Sequence, residues 1–87
     1  MKRSILFFGH LGDVAGTSQM EAELPADVCD VASLIEWLSA HNEHLGAALR
    51  AIGVRVALDR TFAPAAPANA RLDGAKEIAF MSPLSGG

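Results

Sequence analysis

The chain carries little with which to crosslink itself, enter a membrane or hold nucleic acid. Its one cysteine, Cys29, cannot form an internal disulfide, which is consistent with a reducing compartment. No apolar run approaches the roughly 20 residues that a membrane-spanning helix needs. Only four apolar residues separate Arg3 from Gly9, so no secretory leader is expected. The seven Lys and Arg residues are scattered, Lys2-Arg3 is their only adjacent pair, and the net charge is −3. With no basic cluster to neutralise phosphates, nucleic acid is not an expected partner. A glycine-rich phosphate cradle, a nucleophile elbow and an internal repeat are all missing. What is present suits a soluble, cytoplasmic chain: 87 residues, enough for one small domain with one modest core. At 51% hydrophobic and 20% charged it is too apolar for disorder.

Hydrophobic periodicity divides the chain into short elements. Arg3 to Gly9 reads as a strand with Ile5 and Phe7 on one face and Leu6 and Phe8 on the other. Apolar residues on both faces imply a central strand, or one with a sticky outer face. His10 to Gly16 holds two glycines and an aspartate and reads as a turn or a short helical segment. Thr17 to Leu24 alternates Met20, Ala22 and Leu24 against Gln19, Glu21 and Glu23, a second strand hairpinned to the first and ended by Pro25. Asp30 to His41 is the clearest helix: Val31, Leu34, Ile35 and Leu38 make one apolar stripe, with Trp37 at its edge. Asp30 can cap its start and His41 suits its negative end. A short helix is expected over Glu43 to Ile52, ended by Gly53, and a half-buried strand over Val54 to Leu58. Thr61-Phe62 can begin a short pairing strand, and Ala63 to Asn69 is a proline- and alanine-rich loop. Asp73-Gly74 marks a turn before a closing strand, Lys76 to Met81. Two strands, a helix, a short helix and three further strands describe an α+β domain over residues 1–82, a mixed sheet gripping one main helix in the β-grasp, ubiquitin-like manner.

The titratable residues offer no catalytic constellation. His41 and His44 could share a metal, but no third ligand is near in sequence and they read as surface histidines. His10 reads as a turn residue. Cys29 precedes a helix start, which favours a thiolate, yet no histidine is identifiable as its partner and it reads as a small apolar filler. Asp13, Asp59 and Asp73 each fall in a turn, where aspartate is at home.

The unusual chemical group is the C-terminus. After Ser82-Pro83 the chain runs out through Leu84-Ser85-Gly86-Gly87 as residues 83–87, a small-residue tail ending in a free glycine carboxylate. Gly-Gly is costly to order and should stay mobile until gripped. Without Cβ atoms it can thread a narrow channel, and from Pro83 an extended tail reaches about 15 Å at about 3.3 Å per residue. A frayed end or a glycine linker reads equally well from the dipeptide alone.

Three blocks carry a resemblance: Ile5 to Gly16 (ILFFGHLGDVAG), Arg55 to Phe62 (RVALDRTF) and, above all, Leu72 to Gly87 (LDGAKEIAFMSPLSGG). They cover close to half the chain and resemble the small subunit of molybdopterin synthase, the MoaD-like branch of the ubiquitin-like sulfur carriers that also includes the thiamine carrier ThiS. The resemblance implies that a MoeB-like adenylyltransferase uses ATP to adenylate Gly87 and that sulfur from a donor protein displaces AMP to leave a thiocarboxylate. It further implies that the tail, through Pro83, Leu84, Ser85 and Gly86, threads into a MoaE-like large subunit, in a heterotetramer, and delivers sulfur to cyclic pyranopterin monophosphate. Phe8, Phe62, Phe80 and Met81 are expected to dock partner proteins, while no metal and no bound cofactor are expected in this chain. Three departures stand out. Leu58-Asp59 replaces a common Val-Asn, Ser82 stands where a first proline is common, and the loop 63–69 looks long. The resemblance also leaves open a carrier for thiamine, cysteine or tungsten-cofactor synthesis, a ubiquitin-like protein modifier, and a β-grasp binding module.

Overall fold

The computed structural model describes residues 2–51, 53–62, 70–72 and 74–82. Lys2–Phe8 forms strand β1, His10–Ala15 helix α1 and Gln19–Glu23 strand β2. Val31–His41 forms α2, Glu43–Leu49 α3, Arg55–Leu58 β3, Thr61–Phe62 β4 and Glu77–Met81 β5. The expected loop 63–69, Asp73 and the tail from Pro83 to Gly87 lie outside the described residues.

The strands make one sheet in the order β2-β1-β5-β3-β4. The first and last strands run parallel down its middle, and the other pairs are antiparallel. With α2 laid across one face, this is the mixed β-grasp sheet that the order of elements predicted. The central place of β1 explains why both of its faces are apolar. Ile5 and Phe7 point into the core with Ile78 and Phe80 of β5 and Val56 of β3, each 2% exposed or less. Phe7 and Phe80 lie side by side on the two parallel strands, their rings stacked 6.0 Å apart.

Helix α2 starts where its sequence can hold the free amides of the first turn. Asp30 accepts from the backbone N–H of Ser33 at 2.9 Å, and Ser33 Oγ accepts in return from the Asp30 N–H at 3.2 Å. This reciprocal capping box satisfies donors that have no partner inside the helix. The Ser33 hydroxyl, and after it the Ser33 N–H, hold the Asp30 carboxyl below the usual carboxylate range. Val31, Leu34 and Leu38 are buried against the sheet. Ile35, expected on the same stripe, is only half-buried, because the ridge i, i+3, i+7 faces the sheet and leaves i+4 at its border.

Asn42 turns the chain between helices. Its N–H ends α2 on the Leu38 carbonyl, and its Oδ1 caps α3 by accepting from Leu45 N–H at 3.1 Å. Its Nδ2 donates to the Val14 carbonyl at 3.2 Å, tying the junction to α1. Close packing follows: a Cβ at Gly46 would overlap the Ser39 side chain and come within 3.0 Å of Ser39 Cα. The segment after β1, readable as turn or helix, is helical. It leaves β1 through Gly9 at φ 61°, ψ −142°, a backbone open in practice only to glycine.

Candidate docking face and carrier end

Across the sheet from the helices, strand register assembles a second apolar surface. One row runs Leu6, Ala79, Ala57, Phe62, each opposite the next on neighbouring strands. The adjacent row is Phe8, Met81, Arg55. On the other side the row Glu21, Ser4, Glu77 gives the field a polar border. Together Leu6, Phe8, Ala57, Ala79, Met81 and Phe62, edged by Arg60 and Glu77, line a shallow depression of about 330 Å³. Phe8 is 47% and Phe62 52% exposed, and they are the exposed large hydrophobics of the described residues. A contiguous apolar patch with a polar rim is what protein-docking surfaces present.

The rim is held by a tight turn. Asp59 and Arg60, between the paired Leu58 and Thr61, have φ of 49° and 69°. Positive φ at both central residues is the two-residue hairpin geometry that matches strand twist, though here neither residue is glycine. Asp59 offsets the strain. Its carboxylate accepts from the N–H groups of Lys76 and Glu77 at 2.9 and 3.0 Å, and its own N–H donates to the Glu77 carbonyl. The turn is thereby tied to the start of β5, and Phe62 is carried onto the outer face. There the Arg55 guanidinium lies over the Phe62 ring, 4.9 Å from its centroid, a cation–π contact. Arg60 Nε is 3.8 Å from Glu77 Oε2 in an exposed pair.

Of the residues expected to dock partners, Phe8, Phe62 and Met81 share this face. Phe80 does not: it is fully buried. Neighbours in a strand point to opposite faces, so Phe80 faces the helices when Met81 faces outward. Leu6, Ala57, Ala79 and Arg55 belong to the face but escaped the sequence reading, because their adjacency depends on register. The strand parity of Leu6 with Phe8 was the available signal.

At the top of the sheet the chain heads for its terminus. Met81 is the last residue of β5 and pairs with Phe8. Beyond it, half-buried Ser82 sits so close to Gly9 that a Cβ there would overlap the Ser82 hydroxyl. Pro83, Leu84, Ser85, Gly86 and Gly87 fall outside the described residues. Elsewhere, Cys29 is half-buried before α2, and its N–H donates to Ser33 Oγ. Among the described residues no three His, Cys, Asp or Glu side chains converge as a metal site. No helix of the described residues is long and apolar enough to cross a membrane. What the described surface can do chemically is dock a protein.

Comparisons with known proteins agree with this architecture. A sequence-family model described as the ThiS family matches residues 5–87. Among solved structures, the chain is similar to a putative molybdopterin converting factor, subunit 1, from Pyrococcus furiosus. That likeness has a TM-score of 0.75 at 20% identity and covers 97% of this chain and 99% of the other. Crystalline SAMP1 from Haloferax volcanii matches at 0.68 and 22% identity over the whole of both chains. The small archaeal modifier protein 1 from Methanosarcina acetivorans matches at 0.74 and 16% identity, covering 99% and 96%. No curated protein matches the sequence.

Proposed function

From its membership of the ThiS family, to which the match over residues 5–87 assigns it, we propose that this chain is the sulfur-carrying small subunit of a molybdopterin synthase. The observation that carries the reading is the Gly86-Gly87 pair beyond the last strand of a family domain whose outer sheet face is apolar and exposed. A cytoplasmic MoeB-like adenylyltransferase joins the Gly87 carboxylate to AMP from ATP, releasing pyrophosphate. A sulfur-donor protein then supplies sulfur that displaces AMP, leaving the thiocarboxylate. The body docks on a MoaE-like large subunit and the tail carries sulfur to cyclic pyranopterin monophosphate, where successive deliveries build the dithiolene. Docking makes the sulfur effectively intramolecular, and acid–base and oxyanion groups come from the partners.

The opening block Ile5 to Gly16 and the molybdopterin converting factor likeness support the molybdopterin pathway. A second reading has its own support in the two modifier-protein likenesses: activation of the same carboxylate followed by conjugation to lysines. Intact mass after co-expression with the activating enzyme and a sulfur source separates them. A thiocarboxylate gains the mass of sulfur for oxygen, whereas conjugation gives high-mass adducts.

Position is the sharper test. Deleting Gly87, or adding one residue after it, moves the carboxylate by about 3.3 Å along an extended tail. Misplacement of about 1 Å already costs about a hundredfold in rate. Either change should abolish molybdopterin formation in the reconstituted complex and leave the melting temperature nearly unchanged. Full activity without Gly87 ends the carrier reading.

A further inference from the structure

We propose that Arg55 is a recognition residue, and that the protein docking on the outer sheet face presents a carboxylate to its guanidinium. This deepens the docking reading above and rests on it. Three observations converge on Arg55. Its guanidinium is laid over the Phe62 ring at 4.9 Å. It is exposed at the edge of the apolar field, beside Met81 in the row from which the chain leaves the sheet. Among the described residues it has no ion pair, whereas Arg60 on the same edge has Glu77.

Among the described residues the guanidinium has no hydrogen-bond acceptor for its five N–H donors. The contact with Phe62 holds the group in place over the ring, which lowers the ordering cost of a further contact with a carboxylate. A partner that covers Phe62 must also cover Arg55. If it offers no acceptor, it buries an unpaired charge, and that penalty is what discriminates against a wrong surface. One exposed cation at this end of the field, the neighbouring Arg60 being paired with Glu77, in a chain of net charge −3, does not suit a polyphosphate or an anionic membrane. It suits one acidic side chain at the rim of an apolar protein surface. Because Arg55 flanks the exit row, that contact would also fix how the body sits relative to the emerging tail.

The test uses the full chain and the adenylyltransferase encoded in the same genome. Titration calorimetry gives Kd, and ATP–pyrophosphate exchange gives KM and kcat. Arg55→Gln should raise Kd and KM about tenfold and Arg55→Glu about a hundredfold, with kcat unchanged, as expected for a charge contact made on docking. Arg55→Lys keeps the charge but loses the fork and should fall between wild type and Arg55→Gln. Replacing the enzyme's surface acidic residues with Arg, one at a time, should yield one variant that restores binding to Arg55→Glu. Wild-type affinity in both Arg55→Gln and Arg55→Glu overturns the proposal, as does the absence of any restoring variant. Should Arg55→Glu fail to fold, Arg55→Gln carries the same measurement. Binding of the wild-type chain without pyrophosphate exchange would overturn the carrier reading and leave the Arg55 contact standing. No binding by the wild-type chain would overturn both.

Discussion

The two faces of the sheet are built from the same strands and both carry a run of apolar residues, yet they have different fates. On the inner face Ile5, Phe7, Val56, Ile78 and Phe80 are covered by Val31, Leu34 and Leu38 of α2 and by Leu45 and Leu49 of α3. On the outer face Leu6, Phe8, Ala57, Ala79 and Met81 alternate with them, and Phe8 and Phe62 remain about half exposed. Hydrophobicity alone does not separate the sets; the helices that cover one face do. Burial of the inner set drives folding. The outer set, with Phe8 and Phe62 exposed, leaves part of its transfer energy unrealised within the single chain.

Adjacent residues on β5 give the largest contrast. Phe80→Ala removes a fully buried ring stacked on Phe7 and should cost about 3–5 kcal/mol of unfolding free energy through lost burial and a residual cavity. Met81→Asp, one residue later on the opposite face, should leave the denaturation midpoint nearly unchanged. It should weaken partner binding by a few kcal/mol, because it strands a charge in the interface. Denaturant melts paired with calorimetric binding check both. The contrast breaks if Met81→Asp unfolds the protein as Phe80→Ala does.

How much of this was legible in the sequence follows from the range of the interactions. Helix α2 was readable because its stripe and its Asp30 cap are local. The two-sided apolarity of β1 pointed to a central strand, which it is. The parallel pairing of β1 with β5 joins segments some 70 residues apart in the chain, and no local pattern encodes it. Grouping Phe80 with Met81 overlooked strand parity, which the sequence did contain. The Arg55–Phe62 contact was not readable, since it depends on a two-residue turn made by Asp59 and Arg60 at positive φ without a glycine. Asn42, ending one helix and capping the next, lies in a run that local periodicity reads only as a break. Gly86-Gly87 was the most readable feature chemically, through the resemblance its block carries.

A smaller effect tests the cover of the inner face. Gly46 lets α3 lie against Ser39 of α2, where a Cβ would overlap the serine side chain. Gly46→Ala should therefore destabilise by about 1–3 kcal/mol, the usual cost of overpacking, even though alanine is the better helix former. Ser39→Gly removes the obstructing atoms, so the double variant should recover part of the loss in thermal melts. Partner binding at temperatures where the protein is folded should be unaffected, since both positions lie on the helical side. A binding defect larger than the stability defect would show that the helices also shape the outer face.

The smallest effect concerns Asp30, which fastens the start of the covering helix. Its folded pKa lies below the ordinary aspartate value, first because the Ser33 hydroxyl and then because the Ser33 N–H donates to the carboxylate. A lowered folded pKa means that the charged form favours the folded chain. The contribution is complete above the unfolded pKa and is lost as pH falls through the folded one. Asp30→Asn keeps a good capping acceptor and removes the titration. In melts at a series of pH values, any advantage of wild type over Asp30→Asn should be present near neutrality and disappear through that acidic window. Because asparagine caps nearly as well as aspartate, the difference at neutral pH should be slight. Asp30 heads α2, on the covered side of the sheet, so neutral-pH affinity for a docking partner should not change. A loss of affinity in Asp30→Asn with unaltered melting would mean that folding and docking are not divided between the two faces.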